Sequence, residues 1–186
     1  MVKLVRIKRF ADERGWFAET YNRDRFSVLG IDAEFIQDNH AKSAPAGVLR
    51  GLHFQRPPHA QAKLVRCVRG AIWDVGVDIR AGSPTYGRWL ASTLSADNDL
   101  QLFVPAGFAH GYVTLEPNTE VQYKVDARYA PDCEGGIAWN DPDIALPWPL
   151  PASGPILSSK DQALGALKDF ESPFPYDGAP LPATLD

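Results

Sequence analysis

The run Leu64-Val65-Arg66-Cys67-Val68-Arg69-Gly70-Ala71-Ile72-Trp73-Asp74-Val75-Gly76-Val77-Asp78-Ile79 reads as two short β-strands broken at Gly70. In the second of them Trp73, Val75 and Val77 fall on one side of the ribbon and Asp74 and Asp78 on the other. A period of two separates the faces of a strand, as a period near 3.6 separates those of a helix. The same punctuated pattern continues outward, predicting strands over 2–9, 16–21, 35–39, 48–55, 88–94, 101–104, 109–115, 121–125 and 136–139. Breaks fall at Gly47, Pro57-Pro58, Gly82, Asp97-Asn98, Pro105, Gly107, Pro117-Asn118 and Pro131, residues that favour turns and interrupt ladders. Many short strands with regular turn signals mean a sandwich or a barrel. Two short helices are predicted. Residues 22–29 have Asn22 as cap, Phe26 and Leu29 on one side and Gly30 as stop. Ser159-Lys160-Asp161-Gln162 resembles a capping box, with Ala163, Leu164 and Leu167 following at helical spacing.

A chain of 186 residues suits one all-β domain and is long enough to bury a core without covalent staples. It divides into an N-terminal arm over about 1–45, a barrel over about 46–140 and a C-terminal segment over about 141–186. That last segment carries Pro142, Pro147, Pro149, Pro151, Pro155, Pro173, Pro175, Pro180 and Pro182 and is expected to wrap the barrel in extended form. Nineteen basic against 23 acidic residues give a net charge of -4, which argues against a nucleic-acid polymer as partner. Cys67 and Cys133, far apart, form neither a disulfide framework nor a zinc motif. The first residues lack an uninterrupted apolar h-region, and no apolar run approaches a membrane span. The expectation is a soluble cytoplasmic protein with no membrane contact.

Four histidines invite a metal reading: His40, His53, His59 and His110. No His-x-His or His-Glu-x-x-His spacing occurs, so a metal site would need His53, His59 or His110 to converge with a carboxylate by folding alone. His53 keeps different company. It lies in Leu49-Arg50-Gly51-Leu52-His53-Phe54-Gln55, with Lys63 on the following strand. Strict alternation puts His53 on the face of Leu49 and Gly51, and Arg50 on the face of Leu52 and Phe54. In 121–125, Tyr123 shares a face with Val121 and Val125, which points it inward. An imidazole and an ammonium inside a barrel are costly unless they serve a purpose. A base of near-neutral pKa with a cation to hold an oxyanion is the pair needed to remove a proton next to a carbonyl.

Ordered along the chain are Phe10-Ala11-Asp12-Glu13-Arg14-Gly15-Trp16-Phe17-Ala18-Glu19, Gln37-Asp38-Asn39-His40, Gly47 to Gln55, Gln61-Ala62-Lys63-Leu64-Val65-Arg66, Asp74 to Arg80, Pro105-Ala106-Gly107-Phe108-Ala109-His110-Gly111, Tyr123-Lys124 with Tyr129, Trp139-Asn140-Asp141-Pro142 and Leu157-Ser158-Ser159-Lys160-Asp161. Together they resemble the dTDP-4-dehydrorhamnose 3,5-epimerases, over most of the chain. The resemblance implies a single cupin-type jelly-roll domain of the metal-free branch, working as a homodimer in which an N-terminal strand is exchanged. It also implies a dTDP-linked 4-keto-6-deoxy sugar as substrate, inverted at C3 and C5, with no cofactor.

Residue by residue, the resemblance makes His53 the base, Asp161 the carboxylate that orients it, Tyr123 the acid on the opposite face and Lys63 the cation at the enolate oxygen. Arg14, Arg50 and Lys160 match the groups that meet the diphosphate. Glu19, Gln37, Asn39, His110, Tyr129 and Glu134 match pocket residues, and Phe17, Trp139 and Tyr129 are candidates for the aromatic wall around thymine. Asp74 reads as a structural acceptor and stays outside the catalytic set. Three other readings remain open: a single-carbon epimerase of a related deoxysugar pathway, a metal-dependent cupin oxygenase or isomerase, and a non-catalytic sugar-nucleotide binding module.

Overall fold

The computed structural model describes residues 1–182. Its strands are β1 (Lys3–Arg6), β2 (Arg9–Asp12), β3 (Gly15–Ala18), β4 (Gln37–Ser43), β5 (Leu49–Gln55), β6 (Lys63–Arg69), β7 (Ala71–Asp78), β8 (Trp89–Ser95), β9 (Leu100–Val104), β10 (Phe108–Thr114), β11 (Thr119–Val125) and β12 (Glu134–Gly136). The helices are α1 (Arg23–Val28) and α2 (Ser159–Gln162). Two antiparallel sheets run β1-β9-β6-β11-β4 and β12-β5-β10-β7-β8, and β2 and β3 make a separate hairpin. The strands from β4 to β11 divide between the two sheets as β9-β6-β11-β4 and β5-β10-β7-β8. That is the double Greek key of a jelly roll, the all-β class expected from the alternation.

Three apolar layers hold it. Val65, Cys67, Ile72, Leu94, Leu102, Phe108, Tyr112 and Val121 fill the space between the sheets. Val5, Phe26, Ile31, Leu64 and Phe103 seal the outer face of the first sheet under the N-terminal segment. Leu52, Phe54, Val75, Val77 and Ile79 on the outer face of the second sheet meet Ile144, Leu167 and Phe174 of the C-terminal segment. The proline-rich tail thus covers an apolar sheet face.

Several local expectations change. Strand 2–9 divides into β1 and β2. The barrel's first strand is β4, which pairs with β11 from Gln37 to Ser43, so the barrel begins inside the segment assigned to the arm. Asn22 caps α1 as expected, accepting from Arg25 N, and Phe26 is buried, whereas Leu29 stays 49% exposed. The cap of α2 is Ser158, one residue earlier than expected. The helix does not continue to Leu167. That residue enters a separate 3-10 turn, donates its N–H to Asp141 Oδ2 at 2.8 Å and buries its side chain in the tail's apolar layer. Tertiary burial overrides the helical spacing there.

Candidate active site

The cleft opens on the inner faces of both sheets. One lobe, of about 280 Å³, is lined by Arg50, His53, Lys63, His110, Tyr112, Tyr123 and Asp161, with Ala41, Ser158 and Lys160. A second, of about 300 Å³, shares His53, Lys63 and Tyr123 and adds Gln37, Asn39, Tyr129 and Glu134.

β5 presents His53, and here strict alternation fails. Against β10, His53 pairs with His110 and Arg50 with Tyr112, with a register shift between them. Three residue steps on β5 thus oppose two on β10, which is a β-bulge. The inserted residue returns Arg50 to the face of His53, so both line the same lobe. Gly51 makes the bulge possible: its φ is +121°, and a Cβ there would lie 2.7 Å from Gly111 Cα and from His110 O.

The imidazole of His53 meets Asp161 through Nε2 at 2.5 Å. Burial alone would raise the Asp161 carboxyl, but hydrogen bonds from His53 and Ser158 hold it below the usual carboxylate range. The Ser158 hydroxyl donates to Asp161 Oδ2 at 2.7 Å and accepts from Asp161 N at 3.1 Å. The short helix therefore fixes one carboxylate that is 5% exposed. An ionised Asp161 makes Nε2 the protonated nitrogen and leaves Nδ1 with the free lone pair, the state of a general base.

The opposite wall comes from the first sheet. On β6 and β11, Lys63 pairs with Val125, and Val65 with Tyr123. Lys63 and Tyr123 are thus diagonal neighbours on one face. Burial lowers the Lys63 ammonium to about 8, with Asp74 and Glu134 pulling it back up and Lys160 pushing it further down. Burial raises the Tyr123 phenol, Arg50 opposes this and Glu134 adds to it, so the hydroxyl holds its proton through neutral pH. Across from it on the second sheet, His110 is the cross-strand neighbour of His53, and its Nε2 lies 2.6 Å from Asp74 Oδ1. Burial lowers the His110 imidazole against the pull of Asp74, favouring the neutral ring. Among the described residues no three His, Cys, Asp or Glu side chains are grouped to hold a metal. His59 is exposed beyond Pro58 and His40 pairs with Glu120 at 3.0 Å. The arrangement offers a base on one wall, a proton donor on the other and a cation beside the donor.

The sequence profile of the dTDP-4-dehydrorhamnose 3,5-epimerases matches residues 1–169. The chain belongs to this family. A dTDP-4-dehydrorhamnose 3,5-epimerase of Sinorhizobium fredii is 47% identical over 175 residues, covering 94% of this chain and 89% of that one. The crystal structure of the Bacillus anthracis enzyme with TDP and PPi bound superposes with a TM-score of 0.85 at 50% identity, covering 89% of this chain and 93% of that one. The Legionella pneumophila dTDP-6-deoxy-D-glucose-3,5-epimerase in complex with dTDP-4-keto-L-rhamnose gives a TM-score of 0.89 at 40% identity, covering 96% and 94%.

Against the site that the dTDP-4-dehydrorhamnose 3,5-epimerase resemblance implies, the structure gathers most of the expected residues. His53, Lys63, Tyr123, Asp161, Arg50, His110, Lys160, Gln37, Asn39, Tyr129 and Glu134 line the two lobes. Lys160 pairs with Glu134, which also accepts from Tyr129 OH at 2.9 Å. Two residues stay outside within this chain. Arg14 sits at the tip of the β2–β3 hairpin, its side chain 84% exposed and bound to Asp12 at 2.5 Å. Glu19 accepts from Asn22 and Arg25. Of the three aromatic candidates Tyr129 lines the cleft, while Phe17 is on the exposed hairpin and the Trp139 carbonyl accepts from the Trp148 indole. Sequence reasoning missed Ser158 and Tyr112. Ser158 was legible as the first of two adjacent serines. Tyr112, its phenol raised to about 12 mainly by burial, resembles any core aromatic in sequence.

Proposed function

We propose that the protein inverts C3 and C5 of dTDP-4-dehydro-6-deoxy-D-glucose, giving dTDP-4-dehydro-L-rhamnose. The observation that carries this reading is a base and an acid on opposite walls of one cleft. His53, held by Asp161, faces Tyr123 on the first sheet, with Lys63 beside Tyr123. A C–H beside the C4 ketone becomes acidic when the electron pair left behind delocalises onto O4. His53 Nδ1 takes that proton, and Asp161 stabilises the resulting imidazolium. The Lys63 ammonium holds the enolate oxygen. The Tyr123 hydroxyl then gives its proton to the carbon from the other face, which inverts the centre. The phenolate recovers a proton from water and the imidazolium releases one. Repetition at the second flanking carbon completes the conversion, and each step balances without a redox partner.

Arg50 and Lys160 suit the diphosphate. Arg50 has one long hydrogen bond, to Ser43 Oγ at 3.4 Å, which leaves most of its fork free for phosphate oxygens. Tyr129 suits the thymine as a stacking wall, with Gln37, Asn39, His110 and Glu134 as polar contacts. A homodimer accounts for Arg14 and Glu19. The hairpin bearing Arg14 exposes Phe10 by 52%, Trp16 by 54% and Phe17 by 70%, an apolar load suited to a second copy of the chain. Exchange of this N-terminal element would bring Arg14 and Glu19 to the partner's cleft. Free thiols at Cys67 and Cys133 accord with a cytoplasmic enzyme.

The test is proton exchange in D₂O. With the 4-keto sugar nucleotide, deuterium should enter both C3 and C5 with inversion, and His53→Ala should abolish entry at both. Inversion at one carbon only would replace this reading with a mono-epimerase. No exchange from folded, ligand-binding protein would leave a binding module.

A further inference from the structure

The inner face of β7 presents Ile72, Asp74 and Gly76, and Asp74 is paired in register with Tyr112 on β10. An apolar residue would be the ordinary occupant of Asp74's place, since Ile72 and Tyr112 belong to the barrel core. Asp74 is 0% exposed. One of its oxygens lies 2.6 Å from His110 Nε2, and the other is buried with no hydrogen-bond partner. A buried carboxylate with a single partner is expensive to fold around, so its charge calls for a use. The cleft directly above contains two groups that such a charge acts on: His110, which it touches, and Lys63, which lines the same lobe.

We infer that Asp74 is a positioning residue, an anion set beneath the cleft floor that fixes the His110 tautomer and serves as the buried counter-charge of Lys63. This rests on the epimerase reading above. The carboxylate takes the His110 Nε2–H and so turns the Nδ1 lone pair away from itself. Its second oxygen remains available to the ammonium of Lys63 or to a water between them. The groups acting on Lys63 are Asp74 and Glu134, which favour its charge, and Lys160, which opposes it. The His110 ring also feels Lys63 and His53. Of the two anions Asp74 has the larger effect on Lys63, and it is the more deeply buried. Glu134 is engaged by Lys160 and Tyr129.

The experiment pairs Asp74→Asn, which keeps shape and removes charge, with resonance measurements on the wild-type protein. In kinetics the alkaline limb of kcat should move about one pH unit downward in Asp74→Asn. The loss relative to wild type is then about tenfold near pH 8.5 and less than about twofold near pH 6.5, with KM little changed. Asp74→Glu should restore part of the limb. A purely structural role predicts a loss independent of pH, and that result would overturn the inference. Long-range ¹H–¹⁵N spectra of the wild-type imidazoles should show His110 neutral with its proton on Nε2. Spectra of ¹³C-dimethylated lysines should show Lys63 titrating well below the other lysines. A His110 protonated on Nδ1, or a Lys63 titrating with the surface lysines, would refute it even if Asp74→Asn failed to fold. These spectra need no turnover, so they separate failure of this inference from failure of the epimerase reading.

Discussion

Burial draws the Lys63 pKa from 10.5 in the free side chain down to about 8. Because the folded value is the lower one, the unfolded chain binds more protons between these two values, and stability rises with pH across that interval. Below it the folded protein bears the full cost of a buried ammonium. Catalysis has the opposite sign. The enolate needs the charged form, so turnover should fall as pH rises through about 8. Replacing Lys63 with Met should therefore raise stability near neutral pH by roughly 1–3 kcal/mol and lower turnover by about 10²–10³-fold. Thermal melts and steady-state rates on one preparation check both. A Met variant less stable than wild type would show that Lys63 helps the fold. The sequence made the identities of His53, Lys63 and Tyr123 legible because each is a polar residue on a strand expected to be buried. It left Asp74 ambiguous, since an acidic residue alternating with Trp73 and Val75 reads equally well as the solvent face of an ordinary strand.

β5 shows why elements were less legible than residues. Its alternation places Arg50 opposite His53, and the bulge at Gly51 reverses that placement. One inserted residue leaves composition untouched and flips every side chain beyond it. β4 was cut short for a related reason. Its inner face carries Gln37, Asn39, Ala41 and Ser43, residues that line or border the cleft, so no hydrophobic period marks it as a strand. β6, β7, β10 and β11 lay close to their predicted spans because each is rich in β-branched and apolar residues, such as Val65, Ile72, Val75, Val113 and Val121, even though Lys63, Asp74, His110 and Tyr123 interrupt their inner faces. The bulge itself makes a sharp prediction. Gly51→Ala forces a Cβ to within 2.7 Å of the β10 backbone at a φ of +121°, with no flexible side chain to yield. The substitution should cost about 2–4 kcal/mol, measured by denaturant unfolding. Surviving folded protein should lose diphosphate affinity and turnover together, since both Arg50 and His53 depend on the bulge. Normal turnover in a merely destabilised variant would separate the bulge from the site.

At the scale of the whole molecule, net charge and site charge diverge. The chain carries -4 overall, yet its cleft gathers Arg50, Lys63 and Lys160, and Arg14 extends into solvent on a hairpin with exposed aromatic rings. Within one chain the hairpin is held mainly by Arg9, which pairs with Asp99 and donates to the Ala96 carbonyl, and its other residues bury little surface. If two chains exchange it, each cleft takes its base from one copy and Arg14 from the other, and the assembly can be tested by mixing. His53→Ala lacks the base, and Arg14→Ala lacks the exchanged cation. In a mixed dimer one cleft combines both defects, and the other has His53 from one chain with Arg14 from its partner. Random reassociation makes half the dimers mixed, so about a quarter of all clefts should be intact. Turnover at low substrate should then rise to about a quarter of wild type, well above the average of the two parent variants, in a species of twice the chain mass by light scattering. If Arg14 serves its own chain, every cleft retains a defect and mixing adds nothing beyond that average.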